Sequence, residues 1–220
     1  MNRRVLSLSF ITAFILFSTM ERKAMAKYEE PKYEVLESND NIEIRQYKDR
    51  IAAEVVTEGE QKRALDEGFM ILSGYILGKN IRKRNTDMTA SPEANSSATI
   101  DESLYRSESI PMTAPVTAFA SKDNKWTIRL FMPAKYSLET LPTPDNERIK
   151  LVQVAPEKFA VLKFSGFSSK ESFDKKATAL RKFLAKNKID AAGPEVDAYY
   201  DPPWTLPFLR SNEVMIPISQ

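Results

Sequence analysis

The 220-residue chain contains neither cysteine nor histidine. Without cysteine there can be no disulfide, thiolate nucleophile, iron–sulfur cluster, cysteine-ligated zinc or lipid-modified N-terminal cysteine. Without histidine the Ser-His-Asp and Cys-His mechanisms, His-based zinc sites and the commonest haem ligand are excluded as well. Glycine is scarce, with six residues scattered along the chain, so there is no P-loop, no G-x-G-x-x-G pattern and no G-x-S-x-G elbow. Carboxylates abound but fall on faces that read as solvated. No catalytic residue and no metal site is expected, and the chain does not read as an enzyme.

What is present begins with a targeting pattern. Arg3 and Arg4 precede an apolar run from Val5 to Met20, and Ala24-Met25-Ala26 supplies a small-x-small cleavage signal before Lys27. The run is 16 residues long, short of a spanning helix. Residues 1–26 are therefore expected to be a signal peptide cleaved after Ala26, giving a periplasmic or secreted protein. A membrane is a partner only if that segment stays uncleaved. The leader carries a net charge of +3 and the whole chain +2, so the remainder is −1. A near-neutral domain has no electrostatic footprint for nucleic acid.

Residues 27–220 read as one domain with an internal repeat. Leu65, Phe69, Leu72 and Ile76 recur at helical spacing, and Phe173, Ala177, Leu180 and Leu184 repeat that spacing 108 residues later. Each stripe follows two strand-like runs joined by a short polar turn: 41–47 and 50–56 before the first, 149–155 and 158–164 before the second. Two more strand-like runs follow each helix. The expectation is two pseudo-repeats, about 33–133 and 149–219, each built as hairpin, helix and further strands. Together they would make an α+β domain with an antiparallel sheet curled towards a barrel. Residues 82–109, rich in Ser, Thr, Asn and charge, read as a mobile surface excursion.

Three stretches stand out. "SIPMTAPVTAF" (109–119) alternates like a strand, with Met112, Ala114 and Val116 inward, while Pro111 and Pro115 remove ladder donors from one side. The first helix turns apolar nearly all round, so that Met70, Ile71, Tyr75 and Leu77 need cover beyond the sheet, and Gly68 and Gly74 leave gaps along it. Enclosing loops, a ligand groove or a partner surface would each satisfy it. "YYDPPWTLPFLRSNEV" (199–214) holds Trp204, Leu206, Phe208 and Leu209, enough apolar surface for a lid or wall. Tyr199, Tyr200, Met70 and Met112 are residue types that ligate iron elsewhere, although such residues in apolar stretches are more often core.

"IPMTAPV" (110–116), "YDPPW" (200–204) and "NEV" (212–214) closely resemble signature stretches of the SOUL haem-binding family, and "YEVLESNDNIEIRQY" (33–47) resembles its N-terminal hairpin. The resemblance spans 33–219. It implies a distorted antiparallel β-barrel built from two pseudo-repeats, each contributing one helix. It also implies haem or another tetrapyrrole as cofactor, in an apolar groove beside the first helix. The groove residues it implies are Phe69, Met70, Leu72 and Ser73, with Trp204 and Phe208 from the loop as its edge. The chain departs from the family where Asp66 stands in place of an Arg and Thr205 in place of a Lys. Lys62, Arg63 and Arg210 are the nearby cations for the propionates. With no histidine, any iron would lack a His ligand.

The leading expectation is a tetrapyrrole carrier or buffer. One alternative is a binding module or hydrolase for other small apolar or reactive molecules, since the fold also resembles effector-binding domains of bacterial regulators; that reading requires a closed pocket with a buried Glu of raised pKa. The other is an interaction module that docks a partner through the first helix.

Overall fold

The computed structural model describes residues 28–82, 107–121, 123–202 and 204–219. The expected signal peptide and nearly all of the 82–109 excursion lie outside the described residues. In chain order the elements are β1 (Tyr33–Asn39), β2 (Ile42–Tyr47), β3 (Arg50–Glu58), α1 (Gln61–Ile76), β4 (Asn80–Ile81), β5 (Val116–Ser121) and β6 (Lys125–Phe131). They continue with β7 (Thr143–Pro144), β8 (Lys150–Val154), β9 (Glu157–Ser165), α2 (Lys170–Lys186), β10 (Val196–Tyr199) and β11 (Ser211–Pro217).

Nine strands form one antiparallel sheet, ordered β1-β2-β9-β11-β10-β5-β6-β3-β8, while β4 pairs with β7 alone. The sheet curls into a half-barrel and carries both helices on one face, so the fold is α+β, a distorted antiparallel barrel. Helix α1 packs on β3 and β6, and α2 on β9 and β11. With β1 set aside, the strand order is symmetric about the β10–β5 pair. A local two-fold therefore runs between those strands and relates α1 to α2.

The expected hairpins at 41–56 and 149–164 do not form. β2 pairs with β9, and β3 with β8 and β6, so each half lends its first strand to the other. Two-residue hairpin turns need φ > 0, and neither 48–49 nor 155–156 supplies it. Where the sequence does, hairpins close: Asp40 (φ 51°) turns β1 into β2, and Asp123 and Asn124 (φ 62° and 56°) turn β5 into β6.

The strand expected over 109–119 is also shorter. β5 starts at Val116 and pairs on both sides, with β6 and β10. Ile110–Pro115 runs up to it as irregular chain, with a cis Ala114–Pro115 bond. The prolines thus precede the ladder and do not blunt an edge. The segment is pinned by Ile110 N–H to the Ile76 carbonyl (2.8 Å), Ala114 N–H to the Glu29 carbonyl (2.9 Å), and the Thr113 hydroxyl to the Phe131 carbonyl.

Helix α1 is rotated relative to its expected stripe. Its buried residues are Gln61, Ala64, Gly68, Leu72, Tyr75 and Ile76, while Leu65 and Phe69 are only partly buried. The small residues face the sheet because they allow the closest approach. A Cβ at Gly68 would sit 2.8 Å from Ile128 Cγ1, so β6 fills the gap expected at this glycine. Gly68→Val is expected to lower stability by about 1–3 kcal/mol through overpacking; urea denaturation measures it, and an unchanged midpoint would mean that the helix can lift away at no cost. The N-caps Glu60 and Ser169 are 109 residues apart (60 to 169), one more than the spacing of the apolar stripes.

Candidate functional site: the cleft between the helices

The local two-fold places the start of α1 opposite the start of α2, and the space between them is a cleft of about 610 Å³. This lies within the range of about 300–1,000 Å³ usual for small-molecule sites. Its floor is Met112, Thr113, Ala114 and Val116, with Tyr199 from the adjoining end of β10. One wall is Leu65 and Phe69 of α1; the other is the Phe167–Lys170 turn that leads into α2. Tyr28, Trp204 and Arg210 stand at the rim.

Local chemistry holds each wall in place. The Glu60 carboxylate accepts from the N–H groups of Lys62 (3.1 Å) and Arg63 (3.3 Å), satisfying the helix start with a negative charge. Ser169 caps α2 by accepting from Ser172 N–H. Asn212 fastens the turn before it: its side chain accepts from the Ser168 hydroxyl (2.8 Å) and donates to the Gly166 carbonyl (3.3 Å). The Tyr199–Arg210 loop is braced from within. Asp201 accepts from Ser211 N–H (2.7 Å), and Arg210 Nε donates to the Thr205 carbonyl (2.7 Å). Thr205 N–H also bonds the Pro202 carbonyl (3.0 Å).

A polar group lies beneath the apolar floor. Asp197 is buried and accepts from Gln61 Nε2 at 2.6 Å, with the Tyr199 hydroxyl alongside. Burial pushes the Asp197 carboxyl up to about 7; Glu195 and Asp174 add to this, while Gln61 and Lys170 oppose it. An acid raised in this way keeps a proton in the folded state that the unfolded chain releases. Its contribution to stability is complete below about pH 4 and is lost as pH rises towards 7, by on the order of 3–4 kcal/mol. Asp197→Asn is expected to flatten the loss of stability between about pH 4 and pH 8 in urea titrations; an unchanged slope would show that Asp197 ionises freely.

The expected site residues separate. Phe69, Trp204, Lys62 and Arg210 meet at the cleft. Leu72 is 1% exposed and packs into the sheet core, because the small face of α1 turns it inward. Ser73 is half-buried one turn beyond the cleft. Met70 is 72% exposed and faces a shallow groove on the other side of α1, with Gly74 and Arg148. Arg63 is exposed at the helix start, and Phe208 projects into solvent from a 3-10 turn, Pro207–Leu209; neither lines the cleft. Leu65, Lys170, Phe167 and Asp197 belong to the site or its base and were not expected there. Counting the stripe of α1 from its small residues, Ala64 and Gly68, would have turned Leu65 and Phe69 outward.

Tyr75, expected to need cover, is buried and donates from its hydroxyl to the Pro142 carbonyl (2.8 Å). Among the described residues no group of three or more Asp or Glu is placed to hold a metal ion. No helix among them is long and apolar enough to cross a membrane.

The family model for SOUL haem-binding proteins matches residues 28–102 and 100–217, and the chain belongs to that family. No curated protein matches it. Among solved structures it is similar to the C-terminal domain of EcmrR, at 8% identity and TM-score 0.53, over 86% of this chain and 98% of that one. It is also similar to EcmrR in complex with DNA, at 10% identity and TM-score 0.52, over 96% of this chain and 63% of that one. A hydrolase from Listeria innocua aligns at 14% identity and TM-score 0.48, over 92% and 98%. These likenesses concern the fold alone.

Proposed function

We propose that the protein binds haem or a related tetrapyrrole in the cleft between α1 and the Tyr199–Arg210 loop, and serves as a carrier or buffer and not as an enzyme. The observation that supports this most is the cleft itself: an apolar slot of about 610 Å³, walled by Leu65, Phe69, Met112 and Trp204, with Lys62, Lys170 and Arg210 at its edge. A flat macrocycle would stack on the aromatic and aliphatic walls while its carboxylates meet those cations. Lys62 pairs with Asp66 and Lys170 with Asp174 at the surface. Exposed pairs of this kind are weak, so a propionate can displace them.

Bound haem supplies an iron centre and an intense visible chromophore; the chain supplies the walls and the charges. The Tyr199 and Tyr200 hydroxyls are raised by burial above their ordinary range, by Asp197 and Glu213 respectively as well. They stay protonated near neutrality and make poor phenolate ligands. The Met112 thioether on the floor is the soft donor that remains within the cleft. The N-terminal pattern supports a periplasmic or secreted location, with cleavage after Ala26.

Haemin titration followed at the Soret band tests this reading. A saturable one-to-one shift is expected, and a spectrum identical to haemin in buffer would refute it. The hydrolase alternative called for a buried Glu in a closed pocket. The buried acid beneath the cleft is Asp197, and the cleft is open, whereas the buried Glu213 pairs with Arg45; turnover of a small ester lost in Asp197→Asn would favour that reading.

A further inference from the structure

Five large apolar side chains, Phe167, Trp204, Leu206, Phe208 and Leu209, are between 55% and 78% exposed. Four belong to the Tyr199–Arg210 loop, and Phe167 lines the cleft with Trp204. Buried or scattered residues would call for no explanation, but four exposed large apolar side chains within residues 204–209, beside a fifth across the cleft, mark an interaction surface. The loop does not collapse onto the core, because its own bonds hold it out: Leu209 N–H to the Leu206 carbonyl (2.9 Å), Arg210 N–H to the Pro207 carbonyl (3.1 Å), and the Arg210 and Asp201 braces described above.

We propose that this mouth is a membrane-docking face, in which Trp204, Leu206, Phe208, Leu209 and Phe167 enter the headgroup layer of a lipid bilayer and the cleft opens onto lipid. Two further observations favour a bilayer over a protein partner. The first concerns where the chain enters the domain. Tyr28, the first described residue, lines the cleft, so until the cleavage proposed after Ala26 the apolar run Val5–Met20, eight residues upstream, tethers this same mouth to a bilayer. The second is the composition of the rim. Trp and Phe on a protruding tip, backed by Lys62, Lys170 and Arg210, match the aromatic and phosphate layers of a bilayer. Glu60, Asp66, Asp174 and Asp201 stand close to those cations, so insertion and not charge drives docking. Its dependence on salt is accordingly weak.

The test uses the full chain with Trp126→Phe, which leaves Trp204 as the only tryptophan. It is mixed with phosphatidylcholine vesicles, with and without a minority of phosphatidylglycerol, carrying brominated acyl chains. Trp204 emission is expected to shift to the blue and lose more than about half its intensity, as insertion by roughly 5–10 Å requires. Emission that stays unquenched by brominated lipid and open to aqueous iodide overturns the proposal, even if the N-terminal run holds the protein on the vesicle. Phe208→Ser with Leu209→Ser is expected to abolish most of the quenching, whereas Met70→Ser with Leu77→Ser, equally exposed on the side of α1 away from the cleft and at its C-terminal end, leaves it intact. Equal effects of the two pairs overturn it, as does a lipid-free blue shift that grows with protein concentration, which would assign the face to a second copy. Haemin titration of the Phe208/Leu209 variant without vesicles keeps its outcome separate from that of the cleft.

Discussion

Glu213→Ala lowers the stability of the folded protein by about 3–5 kcal/mol, the largest loss expected from any single polar substitution in the sheet. The reason is Arg45, which is fully buried on the face of the sheet away from the helices. Its Nη1 and Nη2 donate to the two Glu213 oxygens at 2.9 and 2.7 Å, its Nε to Glu43 at 2.8 Å, and its Nη1 also to the Tyr47 hydroxyl at 2.9 Å. The Tyr33 ring covers the guanidinium at 4.2 Å. Burial works against the Arg45 charge, and attraction to Glu213 more than offsets it, so its pKa is raised. Removing the carboxylate takes from the buried cation its two-oxygen partner and leaves it Glu43, which Lys163 shares, as its remaining carboxylate; it also leaves the Tyr200 hydroxyl without its 2.7 Å acceptor. Urea titration reads the loss as a lower midpoint at unchanged slope. Arg45→Met combined with Glu213→Leu recovers most of it, because the pair costs about as much to bury as it returns. A Glu213→Ala midpoint within experimental error of wild type would show that Arg45 reaches water.

Phe69→Asp weakens haemin binding by at least about a hundredfold, roughly 2.7 kcal/mol, while Met70→Asp leaves it unchanged. The two residues are adjacent, and α1 sends them to opposite sides: Phe69 into the cleft, Met70 into solvent beside Arg148. A carboxylate at 69 would sit on the wall that the macrocycle must desolvate, where an unpaired charge is most costly. It would also repel the propionates. Circular dichroism of both variants separates lost binding from lost folding. Equal weakening in both would move the site to the outer side of α1, and no weakening in either would remove it from the helix.

The fold was legible in the sequence to the level of helices and strands, but not of pairing. Period-2 runs at 41–47, 50–56, 149–155 and 158–164 marked β2, β3, β8 and β9, yet adjacency in sequence suggested hairpins that the turn residues could not close. Partner choice is settled by the two-fold exchange between halves, which no local pattern encodes. The motif residues turn out to be structural fasteners. Asn212 ties down the turn before α2, Glu213 neutralises Arg45, Val214 is core, and Asp201 braces the loop. The loop was recognisable because Trp204 through Leu209 are too apolar for an idle connection. Phe69 was marked only by the family resemblance, because the apolar stripe assigned it and Leu65 to the sheet, whereas Ala64 and Gly68 take that place and release both to the cleft; Phe167 and Lys170 reach it only through the pairing of the two halves. Asp197 gave no local signal at all, since its burial depends on β10 lying beside β5 under Gln61.

The placement of the ligand is the central claim, and the crystal structure of the protein saturated with protoporphyrin IX tests it most directly. The account predicts the macrocycle between Leu65 and Phe69 on one side and Met112 and Trp204 on the other, with its propionates at Lys62, Lys170 or Arg210. A macrocycle lying against Met70 and Arg148, or on the far face of the sheet near Arg45, would contradict it.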